Sequence, residues 1–341
     1  PKDENKKGDV DLNEQNSLRF AAITSRIGLN VTGYEYNGLK FGAKIETDFY
    51  NGLSGVSGTA VLRLRQAYVT VGRNDWLVTA GQAWHPMAAD MPDVFSLNTG
   101  APFGPFSRTP QVKLDYRLND AFSLTGSAIW QMQYNSTGPN GAKADYIKDA
   151  CTPELFLGLN YKKDNLLLRA GVNMLSIKPR ANNGSVKVDD RITTFTPFLY
   201  GQYKSGLFSA SYEYTPTRNS STWASFMYGK KTQWILFAGY VKNFGTKDDL
   251  YGAKDGYAPA ANLYFSKNSF SNMNQMWRLT PTVIHNIGKF AIGLEYELTS
   301  VQYGDYKTID GVKCIGANGL AKDNLHWITN HRIQALVKFT F

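Results

Sequence analysis

Alternation of polar and apolar residues with a period of two, sustained over long segments, constrains this chain more than any other feature. In residues 39–49, Phe41, Ala43, Ile45, Thr47 and Phe49 share one face, while Lys40, Gly42, Lys44, Glu46 and Asp48 share the other. A helix mixes these two sets, and a strand separates them. Residues 111–117 repeat the pattern, with Val112, Leu114 and Tyr116 opposing Gln111, Lys113, Asp115 and Arg117. In 289–298, Phe290, Ile292, Leu294, Tyr296 and Leu298 oppose Gly293, Glu295 and Glu297.

The same reading predicts strands at 25–34, 39–50, 60–72, 76–85, 107–118, 121–134, 152–163 and 165–178. It continues with 191–204, 206–216, 221–230, 233–243, 273–287, 289–303 and 327–341. Most reach the roughly 9–11 residues that cross a bilayer at a tilt, against about 5–6 for an ordinary soluble strand. Short turns at Asn37-Gly38, 72–75, 118–120, Lys163-Asp164, 204–206 and Ile287-Gly288 alternate with long polar loops at 86–106, 135–151, 179–190, 244–272 and 304–326. Short turns at one end and long loops at the other are the layout of an outer-membrane barrel. A soluble sandwich has no need of that asymmetry.

Composition supports the same conclusion. Twenty Tyr, nineteen Phe and seven Trp exceed what one soluble core of 341 residues usually needs, whereas a barrel shows such rings to lipid at both interfaces. Mean hydropathy is −0.34, and the best apolar run, Trp234 to Val241, stops at Lys242. That run is far short of the roughly 20 residues of a spanning helix. The last strand places Trp327, Thr329, His331, Ile333, Ala335, Val337, Phe339 and Phe341 on one face. A final amphipathic strand closing on Phe resembles the C-terminal signature of outer-membrane proteins. The expected fold is therefore all-β, one transmembrane antiparallel barrel over 1–341. Bacterial barrels have even strand numbers, so fifteen candidates imply sixteen strands. The missing one is expected within 1–24, where Leu18 to Thr24 is the plausible stretch, or before Pro1. Otherwise 1–24 reads as an N-terminal loop.

The loop 86–106 is too apolar for an ordinary solvent loop, with Met87, Met91, Val94, Phe95, Leu97, Phe103 and Phe106. With the missing first strand restored it is the third extracellular loop, and it is expected to fold into the lumen and constrict it; the alternative is an outer loop that packs on its neighbours or caps the mouth. Asp90 and Asp93 lie on it, and Arg26, Lys40, Lys44, Arg63, Arg65 and Lys113 lie on the polar faces of early strands. Arg63 and Arg65, between outward Leu62 and Leu64, would each cost roughly 2–4 kcal/mol facing lipid at the midplane. They are expected in the lumen, opposite Asp90 and Asp93. There, basic side chains favour anions, unless Glu46, Asp48 and Asp115 hold them in structural ion pairs.

Net charge is +9, but the basic residues are scattered and no zinc-ligand or RNA-recognition signature accompanies them, so nucleic acid is not an expected partner. His85, His285, His326 and His331 show no metal-ligand spacing, and no GxSxG or phosphate-cradling loop occurs. Neither an enzyme nor a cofactor is expected. Cys151 and Cys314 fall in no metal or redox motif; a bridge across the mouth is one expectation, two incidental thiols the other. The residues point to a passive pore for small polar solutes, leaning toward anions and set in outer-membrane lipid. A surface adhesin or receptor barrel, binding through 244–272 and 304–326, is the alternative. A plugged transporter would need a plug domain, and none is visible.

SRIGLNVTG at 25–33, GLKFGAKIETDF at 38–49, RLRQAYVTV at 63–71, VTAGQAWHPM at 78–87 and RTPQVKLDYRL at 108–118 resemble the DcaP-like trimeric porins. The resemblance covers about the first third of the chain. It implies a homotrimer of sixteen-stranded barrels passing small, often anionic solutes such as dicarboxylates. An arginine-rich constriction would map onto Arg26, Arg63 and Arg65. The helical N-terminal extension of those porins has no counterpart here.

Overall fold

The structure, a computed structural model, describes residues 2–341 apart from 19, 21, 24, 52–60, 89, 93, 96–105, 134, 217–218 and 264–271. For residues 50, 51 and 208–216 it describes the backbone alone. The framework is a meander of long strands. These are β1 (Arg26–Tyr36), β2 (Leu39–Asn51), β3 (Val61–Arg73), β4 (Trp76–Trp84) and β5 (Arg108–Arg117). They continue as β6 (Phe122–Ile129), β7 (Glu154–Lys163), β8 (Leu166–Ile177), β9 (Ile192–Ser205) and β10 (Phe208–Pro216). The last are β11 (Asn219–Tyr228), β12 (Thr232–Asn243), β13 (Met273–Ile287), β14 (Phe290–Asp305) and β15 (Asp323–Phe339).

All belong to one 15-stranded antiparallel sheet in which every strand pairs with its neighbours in sequence. Among the described residues the sheet is open between β1 and β15, and both edges run from the loop end to the turn end. The described part of 1–24 holds a small hairpin pairing Lys6–Lys7 with Val10–Asp11. Ile23 lends one carbonyl to the N–H of Phe49 in β2; Arg19, Ala21 and Thr24, within the expected extra strand, lie outside the described residues.

Turn chemistry fixes the short connections. Between β1 and β2 both Asn37 (φ 51°) and Gly38 (φ 73°) are left-handed, as a two-residue type I′ hairpin requires. At the other end, β6 stops at Ile129 rather than running to 134. Its ladder partner β5 reaches Pro110, which has no N–H to continue the pairing, and the Trp130 N–H closes the edge on the Pro110 carbonyl. The long loops carry more order than their sequence suggested. One holds the short helix α1 (Asp145–Ala150), and residues 257–259, 307–309 and 312–316 form a three-stranded sheet across two loops.

A bulge sets the side-chain register where the charged wall begins. In β3, Leu62 and Leu64 face outward, and so do Val69 and Val71, although the parity has changed between them. The pairing passes from Glu46↔Gln66 to Thr47↔Leu64, so Arg65 is the extra residue. The insertion sends Arg63, Arg65 and Gln66 toward the same side without turning a charge to the outer face.

The outer surface is apolar as the alternation requires. Ile333 is 74% and Val337 76% exposed, and Leu62, Val112, Trp234 and Ile292 are exposed as well. Such a band suits lipid and no aqueous surface. The inner face departs from expectation, because it is not uniformly polar. Met87, Ile129, Phe156, Phe198, Tyr200, Trp223, Phe237, Val241, Met276, Val301 and Tyr303 form a buried cluster within it. Tyr200, Trp223 and Phe237 are arranged in sequence, with ring centroids about 6 Å apart. All but Met87, which belongs to the loop after β4, occupy the polar-face positions of their strands. A strand-by-strand reading sees them as single exceptions, and only the curved sheet brings them together.

Candidate permeation path

The apolar cluster has a tenant, the loop that follows β4. Met87 is 4% exposed inside it, and Val94 packs against it. At the root of the loop, His85 is buried with Nε2 3.2 Å from Glu154 Oε1 on β7, and the Met87 N–H points at His85 Nδ1 from 3.2 Å. The acceptor role at Nδ1 assigns the proton to Nε2, which donates to the carboxylate. Asn173 on β8 donates to the same Glu154 oxygen at 2.7 Å, and Gln131 donates to the other at 3.3 Å.

Further along, Asp90 Oδ2 lies 2.7 Å from Arg169 Nε on β8. The Phe95 N–H then donates to Glu295 Oε2 on β14 at 2.8 Å. Glu295 is fully buried and also accepts from Thr282 Oγ1 and Gln334 Nε2, each at 2.9 Å. Gly293, one inward position below, leaves room for the Phe95 ring where any β-carbon would collide. β8 and β14 stand far apart in the sheet order, so a loop touching both crosses the lumen. Thus the described part of the loop is folded inside, as its apolar residues demanded. Asp93 and much of the rest of 86–106 lie outside the described residues.

The wall residues are brought together, though less freely than a constriction ring. Arg63 donates to Asp48 through Nε at 2.9 Å and Nη2 at 2.7 Å. Arg65 donates to Glu46 at 2.6 Å and to Asp48 at 2.8 Å. Arg65 and Asp48 are each 1% exposed. These four groups form a neutral, interlocked set. Lys44 lies 3.5 Å from Glu46, and Lys113 2.8 Å from Asp115. Arg26 faces the same side opposite Asp48, and Lys40 pairs in register with Glu35. Asp90, expected to face the early-strand arginines, faces Arg169 instead.

Sequence reasoning missed Arg169, Glu154, His85 and Glu295 as functional groups. Glu295 stood on a polar strand face with no sign of its role. Its partner Phe95 is 200 residues away, and no local signal joins them. His331 does face outward, and its Nδ1 lies 2.6 Å from the Tyr296 hydroxyl. Cys151, exposed after α1, and Cys314, buried in 312–316, are unbridged, so the expected mouth-spanning disulfide is not formed.

A meander of long strands crossed by an inward-folded loop is a known architecture. The fold is that of the outer-membrane porins. The outer-membrane channel DcaP of Acinetobacter baumannii superposes with a TM-score of 0.68 at 19% identity, covering 96% of this chain and 88% of that one. The trimer form of OmpT, an outer membrane protein of Vibrio cholerae, superposes with a TM-score of 0.55 at 15% identity, over 96% of this chain and 94% of that one. No protein-family model matches the sequence, and no curated protein matches it. Among the described residues no group of three or more His, Cys, Asp or Glu is placed to hold a metal ion.

Proposed function

We propose that this barrel is an outer-membrane porin, a passive diffusion channel for small hydrophilic solutes with a lean toward anions. The observation carrying the anion lean is the state of the inward basic groups. Register and parity put Arg26, Lys40, Lys162, Lys204 and Lys338 on the lumen face. Among the described residues none of these five has an acidic group at ion-pair distance. Lys40, Lys162, Lys204 and Lys338 all stand near the turn end of their strands, where they surround the inner mouth. Rings of basic side chains favour anions in a pore, and low-dielectric walls focus their field. The resemblance pointed to Arg63 and Arg65, but their charges are matched by Glu46 and Asp48. We therefore assign selectivity to the inner-mouth lysines and size exclusion to the loop crossing from β8 to β14.

The OmpT neighbour is described in a trimer form, and a homotrimer is proposed here as well. A sixteenth strand between β1 and β15 is proposed for closure, since two edges running the same way need one antiparallel strand between them. Planar-bilayer recording tests the channel. Folded protein should conduct, with a reversal potential favouring chloride in a KCl gradient. Changing Lys162, Lys204 and Lys338 together to Gln should move that potential toward cations, and deleting 88–104 should raise conductance. A well-folded barrel that does not conduct would refute the porin reading in favour of a surface-binding barrel.

A further inference from the structure

A recess lies on the outer wall, away from the lumen. It is an open groove of about 480 Å³ across β5 to β9, lined almost entirely by apolar side chains. Its floor is β6, where Gly126 and Ala128 are the outward residues. Strand register places Leu114 and Val112 on one side of them and Leu157 and Leu155 on the other. Phe195 of β9, 65% exposed, forms the far wall. The trough exists because two small side chains on one strand are flanked by large ones on both neighbours. A β-carbon built on Gly126 meets nothing within 4 Å, so the space is open rather than filled by the fold.

Position and rim chemistry say what fits. The groove lies in the loop-side half of the lipid-facing band, since Leu155 is one residue from the loop end of β7 and Phe195 three from that of β9. Just past the loop end of β6 stands Trp130, 39% exposed, an amphipathic ring of the kind that marks a membrane–water interface. Arg191 immediately precedes β9, four residues from Phe195 and about 13 Å up at strand rise. Arg191 is exposed, yet held in place, because its Nη1 donates to the Ala150 carbonyl at 2.6 Å and to Thr152 Oγ1 at 3.1 Å. Among the described residues both of its hydrogen bonds are made by Nη1, which leaves Nε and Nη2 for an anion. An apolar trough in the bilayer's outer half, topped by an interfacial Trp and a fixed guanidinium, matches a lipid whose acyl chain lies in the trough and whose phosphate meets the arginine.

We propose that this groove is a binding site for an outer-leaflet glycolipid of the lipopolysaccharide class, with one acyl chain over Gly126 and Ala128 and a phosphate at Arg191. Guanidinium recognises phosphate oxygens through parallel N–H donors. The phosphate gives headgroup selectivity, and the trough gives chain retention. The site is independent of the pore, so conduction should not depend on it.

The test uses the full-length protein, delipidated in mild detergent and titrated with purified rough lipopolysaccharide, with retained lipid counted by native mass spectrometry. Gly126→Leu fills the trough from a position where a β-carbon meets nothing within 4 Å. It should reduce retention at least tenfold while heat-modifiable migration and conductance stay unchanged. Arg191→Gln should reduce retention of lipopolysaccharide several-fold. Phe195→Ala, which removes an exposed wall residue, should weaken retention also and serves if Gly126→Leu fails to fold. Retention unchanged in the folded variants would overturn the proposal. So would equal retention of phosphatidylethanolamine, which would make the groove a general acyl-chain surface. A change in oligomeric state with lipid retention intact would assign the groove to contact between copies of the chain, and would also overturn it.

Discussion

Removing Asp48 separates a structural role for the early-strand arginines from a role in permeation. Its carboxylate is 1% exposed and accepts from Arg63 Nε at 2.9 Å, Arg63 Nη2 at 2.7 Å and Arg65 Nη1 at 2.8 Å. Arg65 is equally buried, and its other carboxylate partner is Glu46. Asp48→Ala removes the carboxylate that two guanidinium groups share, one of them shut off from water. Breaking a buried pair by deleting one partner costs about 3–5 kcal/mol, because the surviving charge is uncompensated. An exposed pair would lose only about 0–1 kcal/mol. Arg63 is partly exposed, which argues for the lower part of the larger range. Urea unfolding in detergent micelles, followed by the heat-modifiable gel shift, measures the loss. A second signature comes from the pore. With one carboxylate gone, the lumen gains a net positive charge, and the reversal potential should move toward anions. The double change Asp48→Leu with Arg65→Met should recover most of the stability, since apolar replacement of a buried pair is often neutral. If Asp48→Ala unfolds within 1 kcal/mol of the parent and keeps its ion preference, the interlocked set is not what holds this wall.

The latch of the loop tip offers a second prediction. Glu295→Leu removes the acceptor for the Phe95 N–H, Thr282 and Gln334, and single-channel traces should show larger, noisier conductance with the barrel intact; quiet traces of parental amplitude would mean that the loop holds without it. A third concerns the outer loop 178–191, where the Lys178 ammonium, 2.6 Å away, holds the Asp189 carboxyl below the usual carboxylate range. With its folded value depressed, the bridge contributes fully above the unfolded value near about 4 and is lost as pH falls through the depressed one. Hydrogen exchange of 178–191 should therefore be flat from pH 7 to about pH 5 after correction for intrinsic rates, and should rise only in stronger acid.

Period-two patterning in the sequence determined where strands lie and which face of each meets lipid. Pairs such as Leu62/Leu64 and Ile333/Val337 must face lipid together, because a one-residue slip would turn every neighbouring charge outward. Asn37-Gly38 fixed a hairpin by its own backbone freedom, and the apolar loop 86–106 announced that it needed a wall. What the sequence did not hold was which wall. Arg169 lies 79 residues after Asp90, and Glu295 lies 200 after Phe95. Such pairs are chosen by the curvature of the whole sheet, which brings β8 and β14 to opposite sides of the same loop. The bulge at Arg65 belongs to the same class, since an inserted residue is visible only against its partner strand. The buried aromatics from Phe156 to Tyr303 read singly as exceptions to a polar face; gathered by the sheet, they are the apolar seat of the loop. Local alternation is written residue by residue because it follows from the pleat of one strand. The pairing of charges across the lumen follows from where strands distant in sequence come to stand, and only the tertiary structure decides that.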